Sequence, residues 1–300
     1  MSIKKLFAMI IITITLILLT VGCVLATYAS YNSQYREYEN IVETYDVLAR
    51  TSNQEAINKG NEILNVLNQN SLTRSAQQNE DYSITKIIKD NNYGTESYLY
   101  TNDTNYEIQL DTTTLNLTGI NSLDLNYNLS SEKMNKEDVK NYIDSVYNDL
   151  KLDSSYDLVY LEKFDGALWE ADYQKEYDGI YTPYEAVKII FSPIEQKIAS
   201  LKVFDMKYTL EQENNITEET AKSVFASSNL SRSFTTNNSQ LTSEIVFIRP
   251  NNLTESNRRN GSKVLFNNTI RKAWKITNSD DLSLYVDIES GEIIGGDKLR

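Results

Sequence analysis

The chain has no histidine, and only one cysteine, in 300 residues. Without histidine it lacks the commonest general base and the commonest zinc ligand. Ser-His-Asp and Cys-His catalysis are excluded. Cys23 stands inside an apolar run, so the rest of the chain has no disulfide, thiol nucleophile or thiolate metal site. Three prolines and ten glycines are too few for a Pro-rich spacer or a low-complexity tract. Positive charge is also scarce: 29 Lys and Arg face 42 Asp and Glu, a net charge of -13. Such a surface repels phosphate backbones and anionic lipid, which argues against nucleic acid and against peripheral membrane binding away from the N-terminus.

Apolar residues are sufficient, at 40%, for packed cores, and the length suits two small domains or one large one. Residues 6–27, LFAMIIITITLILLTVGCVLAT, carry no charge. At about 1.5 Å per residue they span a hydrocarbon core of roughly 30 Å. Lys4 and Lys5 precede the run and acids outnumber bases after it, which leaves the N-terminus cytoplasmic and the remainder outside. The expected reading is a retained single-pass anchor in the cell membrane. A signal peptide cleaved near Thr27-Tyr28-Ala29 and a lipoprotein anchored at Cys23 are the alternatives. Against the lipoprotein, Thr20 stands where a lipobox usually has Leu, and the apolar run continues past Cys23.

Tyr35, Tyr38, Ile41, Val42 and Tyr45 fall on one face of a helix, expected as part of a stalk over 28–53. Ala56, Ile63, Leu64 and Leu67 stripe a second helix. Residues 71–95 are polar and poorly patterned. Alternation then predicts strands at 98–101, across 106–120 with a Thr-rich turn, and at 156–164, 167–177, 186–191, 197–204, 244–248 and 273–276, before a closing hairpin. Asn135 and Thr217 are expected N-caps of two further helices, with Val139, Ile143, Val146 and Leu150 buried by the first of them.

A helix followed by several strands is thus read three times. Tyr98 aligns with Trp274, Leu110 with Val286, Asp111 with Asp287, and Leu117 with Ile293. In the middle copy Ser192 replaces the aspartate, Ile198 replaces Ile293, and Trp169 lies farther off because D-G-I-Y-T-P and its flanks are inserted. The expected units are 54–128, 129–214 and 215–300, after a cytoplasmic 1–5 and the anchor at 6–27.

Ile216, Thr217, Glu218, Glu219, Ala221, Ala273, Trp274, Val286, Asp287, Gly291, Glu292 and Ile293 form a pattern in the closing unit that resembles the PepSY domain, known from propeptides of secreted metallopeptidases and from a spore-germination regulator. The middle unit resembles YcdB/YcdC-type repeats through Trp169, Tyr177, Gly179 and the strand before Ser192, but lacks the Asp and Gly of the turn. The resemblance covers residues 130–300, with a weaker copy at 54–125. It implies an α+β fold, each helix packed on an antiparallel sheet. It also implies binding or inhibitory roles, often toward peptidases or cell-wall enzymes, and no catalytic residues. The expected partner is an envelope peptidase, cell-wall enzyme or sensor, and no cofactor is expected.

Asp287, Glu289 and Glu292 are too sparse for a calcium loop, and a solvated hairpin is the expectation. Trp169 and Trp274 suit a sheet's core face. Glu218 and Glu219 suit a helix N-terminus, and Glu170 with Asp172 is the sort of pair that an acidic chain contains by chance. Nine Asn-x-Ser/Thr triplets, and a basic cluster at Arg258, Arg259 and Lys263, fit solvated loops. The candidate partner-binding surface is the cluster around the insertion: Tyr173, Tyr177, Asp178, Tyr181 and Tyr184. A structural spacer is the alternative role, and a hydrolase a remoter one.

Overall fold

The computed structural model describes residues 42–46, 53–70, 82–90, 94–125, 134–164, 167–206, 215–228, 241–251, 269–279 and 282–298. The anchor, Cys23 and the cluster at Arg258, Arg259 and Lys263 lie outside them. Among the described residues no helix is long and apolar enough to cross a membrane. The fold is α+β with antiparallel sheets, in two compact units, one drawn mainly from Tyr38–Leu210 and one mainly from Glu211 onward.

The first unit holds β1 (Val42–Asp46), α1 (Gln54–Asn70), β2 (Ser83–Asp90), β3 (Thr95–Thr101), β4 (Tyr106–Asp111) and β5 (Leu117–Ser122). It continues with α2 (Lys136–Asp149), β6 (Tyr156–Phe164), β7 (Leu168–Tyr177), β8 (Ile180–Ser192) and β9 (Lys197–Asp205). The nine strands form one antiparallel sheet in the order β1-β2-β3-β4-β5-β9-β8-β7-β6. Strand alternation sends Tyr106, Ile108 and Leu110 of β4, and Trp169, Ala171 and Tyr173 of β7, to one face. There they meet Ala56, Ile63 and Leu67 of α1 and Val139, Ile143 and Val146 of α2 in a single core.

Asn135 starts α2 as its spacing requires. Its Oδ1 accepts from the N–H groups of Glu137 and Asp138, both at 3.0 Å. A cap of this kind contributes about 1 kcal/mol. The helix is pinned at its middle, where the Tyr142 hydroxyl donates to the Gln196 carbonyl at 2.7 Å.

The second unit packs α3 (Glu218–Ser227) on a four-stranded antiparallel sheet. Its strands, in spatial and chain order, are β10 (Thr242–Ile248), β11 (Arg271–Thr277), β12 (Leu282–Asp287) and β13 (Ile293–Lys298). Thr217 caps α3 by accepting from Thr220 N–H at 3.3 Å. Ala221 and Phe225 bury against Ile276, Leu284 and Val286, with Trp274 and Ile293 packed alongside.

The closing hairpins share one turn. Asp111 and Asp287 each end a strand, and the Oδ1 of each accepts two backbone N–H groups and a hydroxyl from the next three residues. Leu115, Gln196 and Gly291 occupy the same place in their turns, all with positive φ (58°, 47° and 72°). Glycine takes this conformation freely, whereas Leu and Gln adopt it at a cost. Leu110 then pairs Leu117, Phe191 pairs Ile198, and Val286 pairs Ile293, each beside a register shift. On the preceding strand, Tyr98, Trp169 and Trp274 sit opposite Leu110, Phe191 and Val286. The insertion that separates Trp169 from its turn in sequence is taken up by the β7–β8 hairpin, so the tryptophan's register is kept.

Three segments depart from the sequence reading. Val42–Asp46, expected within a helical stalk, is strand β1 paired with β2; sheet pairing overrides a short helical periodicity. Ser83–Asp90, unpatterned in sequence, is β2; its register shift between Ile84 and Lys86 breaks the alternation that would have marked it. β8 begins at Ile180 rather than 186, because the inserted residues continue the strand.

Candidate functional site

The β7–β8 hairpin is the long one. β6 begins at Tyr156 opposite Lys175, and β9 ends at Asp205 opposite Glu185. Residues 176–184 therefore extend past the strand pairing on both sides. Asp178 and Gly179 close the arm with φ of 53° and 80°, the two positive values that a type I′ hairpin turn demands. Where the arm leaves the sheet, Gln174 pairs Ala186 but Lys175 pairs Thr182. The extra residues 183–185 on β8 make a bulge that redirects the arm.

The five expected surface residues divide. Tyr173 is not on the surface. It is 5% exposed, its ring stacks on Tyr147 with centroids 4.2 Å apart, and its hydroxyl donates to Asp144 Oδ1 at 2.5 Å. The alternation of β7 places it on the core face beside Ala171, and burial raises its phenol pKa. Tyr177 is half-buried just before the turn of the arm, and its side chain reaches back toward the root. Its hydroxyl donates to Glu185 Oε2 at 2.6 Å, and Lys175 Nζ lies 5.1 Å from its ring centroid. Tyr184 is half-buried, and its carbonyl accepts from Met206 N–H at 2.8 Å. Asp178 is exposed at the tip. Tyr181 is exposed on the flank, its hydroxyl 3.3 Å from Asp157 Oδ2.

Beside the arm runs β6, the last strand of the sheet order. The sequence predicts a strand at 156–164 but does not single it out as surface, because an edge position is set by the order of strands in the sheet. Val159 and Tyr160 are 36% and 45% exposed, and a register shift between Leu158 and Tyr160 marks a bulge. Bulges and charges on an edge strand limit indiscriminate pairing. The face turned away from the helices carries Asp157 and Tyr160 from β6, and Glu170, Asp172 and Glu176 from β7, while Glu162 on the edge strand pairs with Lys136 of α2 at 2.8 Å. Lys188 answers part of this charge, at 2.6 Å from Glu170 and 3.7 Å from Asp172. Burial raises the Asp172 pKa against the pull of Lys188, and Asp172 Oδ1 is buried without a hydrogen-bond partner. A general acid and base would need a reacting atom held between them, and Glu170 and Asp172 instead share one lysine.

The remaining sequence candidates are structural. Trp169 is buried, and Trp274 Nε1 donates to the Ile216 carbonyl at 3.1 Å. Glu218 pairs with Lys222, which holds its carboxyl below the ordinary range. The expected solvated hairpin is corrected at Asp287, which is 1% exposed and held by Arg271. Arg271 also reaches Glu289 at 2.9 Å, so a guanidinium fills the place that a cation would take. Glu292 is exposed, as expected.

No protein-family model matches the chain, and no curated protein matches it. Among solved structures, the Bacillus megaterium YpeB C-terminal domain is similar, with a TM-score of 0.43 and 14% identity over 83% of this chain and 98% of that one.

Proposed function

We propose that this is a membrane-anchored extracytoplasmic protein, built of three PepSY-like units, that binds and regulates an envelope partner without catalysing a reaction. The partner is an envelope peptidase, a cell-wall enzyme or a sensor. The observation that carries the reading is the β7–β8 arm. Of the hairpins that precede the three closing turns, β3–β4, β7–β8 and β11–β12, it alone is lengthened, and it sets Tyr181 against Asp157 of the edge strand that also exposes Tyr160, with Asp178 at its tip. Tyrosines supply large contact area at low entropic cost, and an edge strand offers main-chain groups to a partner. The lack of His, and of any Cys beyond Cys23, supports a non-catalytic role.

The test is a crosslinking pull-down of the full tethered protein with the arm shortened. Removing residues 174–188 would take away the buried Ala186 and Val187 and unfold the sheet. Replacing Glu176–Tyr181 by Asn-Gly instead keeps the Lys175–Thr182 pair and closes a two-residue turn. The expected result is loss of a stoichiometric partner that the intact protein captures. Undiminished capture overturns the reading, and no partner with either form favours a spacer.

A further inference from the structure

Within the nine-stranded sheet, β5 and β9 pair in a symmetric register. Ile120 lies opposite Leu201, Gly119 opposite Lys202, and Asn121 opposite Ser200. Ile120 stands three residues after Leu117, and Leu201 three residues after Ile198, the residues that follow each turn. Equivalent positions of two equivalent strands therefore meet at the centre. That is the geometry of an isologous two-fold contact, here made inside one chain.

The same position in the second unit is Gly296, three residues after Ile293. β13 is the last strand of its sheet order, and among the described residues Asn251 holds its outer main chain. Asn251 N–H donates to the Ile294 carbonyl at 2.9 Å. Its side-chain Oδ1 accepts from Gly296 N–H at 3.1 Å, and its Nδ2 donates to the Gly296 carbonyl at 3.2 Å. The amide thus offers Gly296 the one donor and one acceptor that a residue of a neighbouring strand would offer. Asn251 is 4% exposed. It can lie this close only because Gly295 has no Cβ, which would come within 2.9 Å of Asn251 Oδ1.

We propose that β13 is a latent homodimer edge and that Asn251 is its plug. In the dimer a second copy's β13 pairs antiparallel with Gly296 opposite Gly296, in the register that β5 and β9 use, and Asn251 gives way, its side chain from Gly296 and its main-chain N–H from the Ile294 carbonyl. The partner is a second copy because the symmetric register is already realised between the corresponding strands of this chain. The proposal stands apart from the arm of the first unit.

Sedimentation of the solubilised full chain over a concentration series tests this. Asn251→Ala removes the side-chain bonds of the plug and leaves one main-chain bond to Ile294 to displace, and the variant is expected to dimerise on the order of tenfold more tightly. Adding Gly296→Pro to that variant takes away the outward N–H, as an edge strand tolerates, and is expected to return the wild-type behaviour. Tryptophan emission checks that each variant is folded. Should Asn251→Ala unfold, Asn251→Asp keeps the acceptor and loses the donor, with the same direction and a smaller shift. Self-association unchanged in the plug variants, or a dimer that survives Gly296→Pro, overturns the proposal.

Discussion

Removing the arginine that neutralises Asp287 isolates one buried charge. Arg271 Nε and Nη2 donate to the two oxygens of Asp287 at 2.8 and 3.1 Å. Burial pushes the Asp287 pKa up, but Arg271 and the turn's N–H groups outweigh it and hold the carboxyl below the ordinary range. Removing one partner of a fully buried pair costs about 3–5 kcal/mol. Arg271 keeps a third of its side-chain surface in water, so screening reduces the expected loss for Arg271→Met at pH 7 to roughly 1.5–3 kcal/mol. The pH response follows from linkage. A carboxyl whose folded pKa is depressed contributes stability above its unfolded value and loses it as pH falls through the folded one. Without the guanidinium, burial drives the Asp287 pKa upward and that loss disappears. The difference between wild type and variant is therefore largest at pH 7 and shrinks toward pH 3. The assay is urea unfolding followed by tryptophan emission. The protein has two tryptophans, so a Trp169→Phe background leaves Trp274, on the strand of Arg271 itself, as reporter. A destabilisation below about 0.5 kcal/mol, the level of an ordinary surface change, would refute the reasoning. A pH-independent difference would refute it as well.

Three further outcomes are expected. Gln196→Gly relieves the positive φ of its turn and stabilises the first unit by about 0.5–1 kcal/mol in urea unfolding. Lys197 is 3% exposed against 32% for its partner Asp124. Asp124→Asn therefore strands a buried ammonium and costs about 2–4 kcal/mol, while Lys197→Met leaves a carboxylate that water can reach and costs about 1 kcal/mol, both read in thermal melts. Tyr173→Ala is expected to cost about 3–5 kcal/mol as a core truncation, whereas Tyr160→Ala and Tyr181→Ala stay within about 0.5 kcal/mol of wild type.

The sequence by itself located most of the helices and strands. Period and capping are local properties, so Asn135 and Thr217 could be read as caps, and Val139, Ile143 and Val146 as a buried face, before any fold was known. It also aligned Asp111 with Asp287, because a turn's hydrogen bonds close within a few residues. Ser83–Asp90 stayed hidden because its bulge breaks alternation, and Val42–Asp46 because a partner strand far along the chain decides its conformation. Which tyrosines of the candidate surface face water was likewise a tertiary matter. Tyr173 and Tyr181 lie on one hairpin, but the pleat and a bulge send the first under α2 and the second into solvent. Asp287 read as a solvated turn acid because its partner, Arg271, sits on the adjacent strand. The symmetric meeting of β5 with β9 appears only when the sheet is assembled. Pairing between strands so distant in the chain leaves no periodic trace in either one. Local hydrogen-bond closure and side-chain period are written in the sequence, whereas charge neutralisation and edge pairing depend on which distant strands become neighbours.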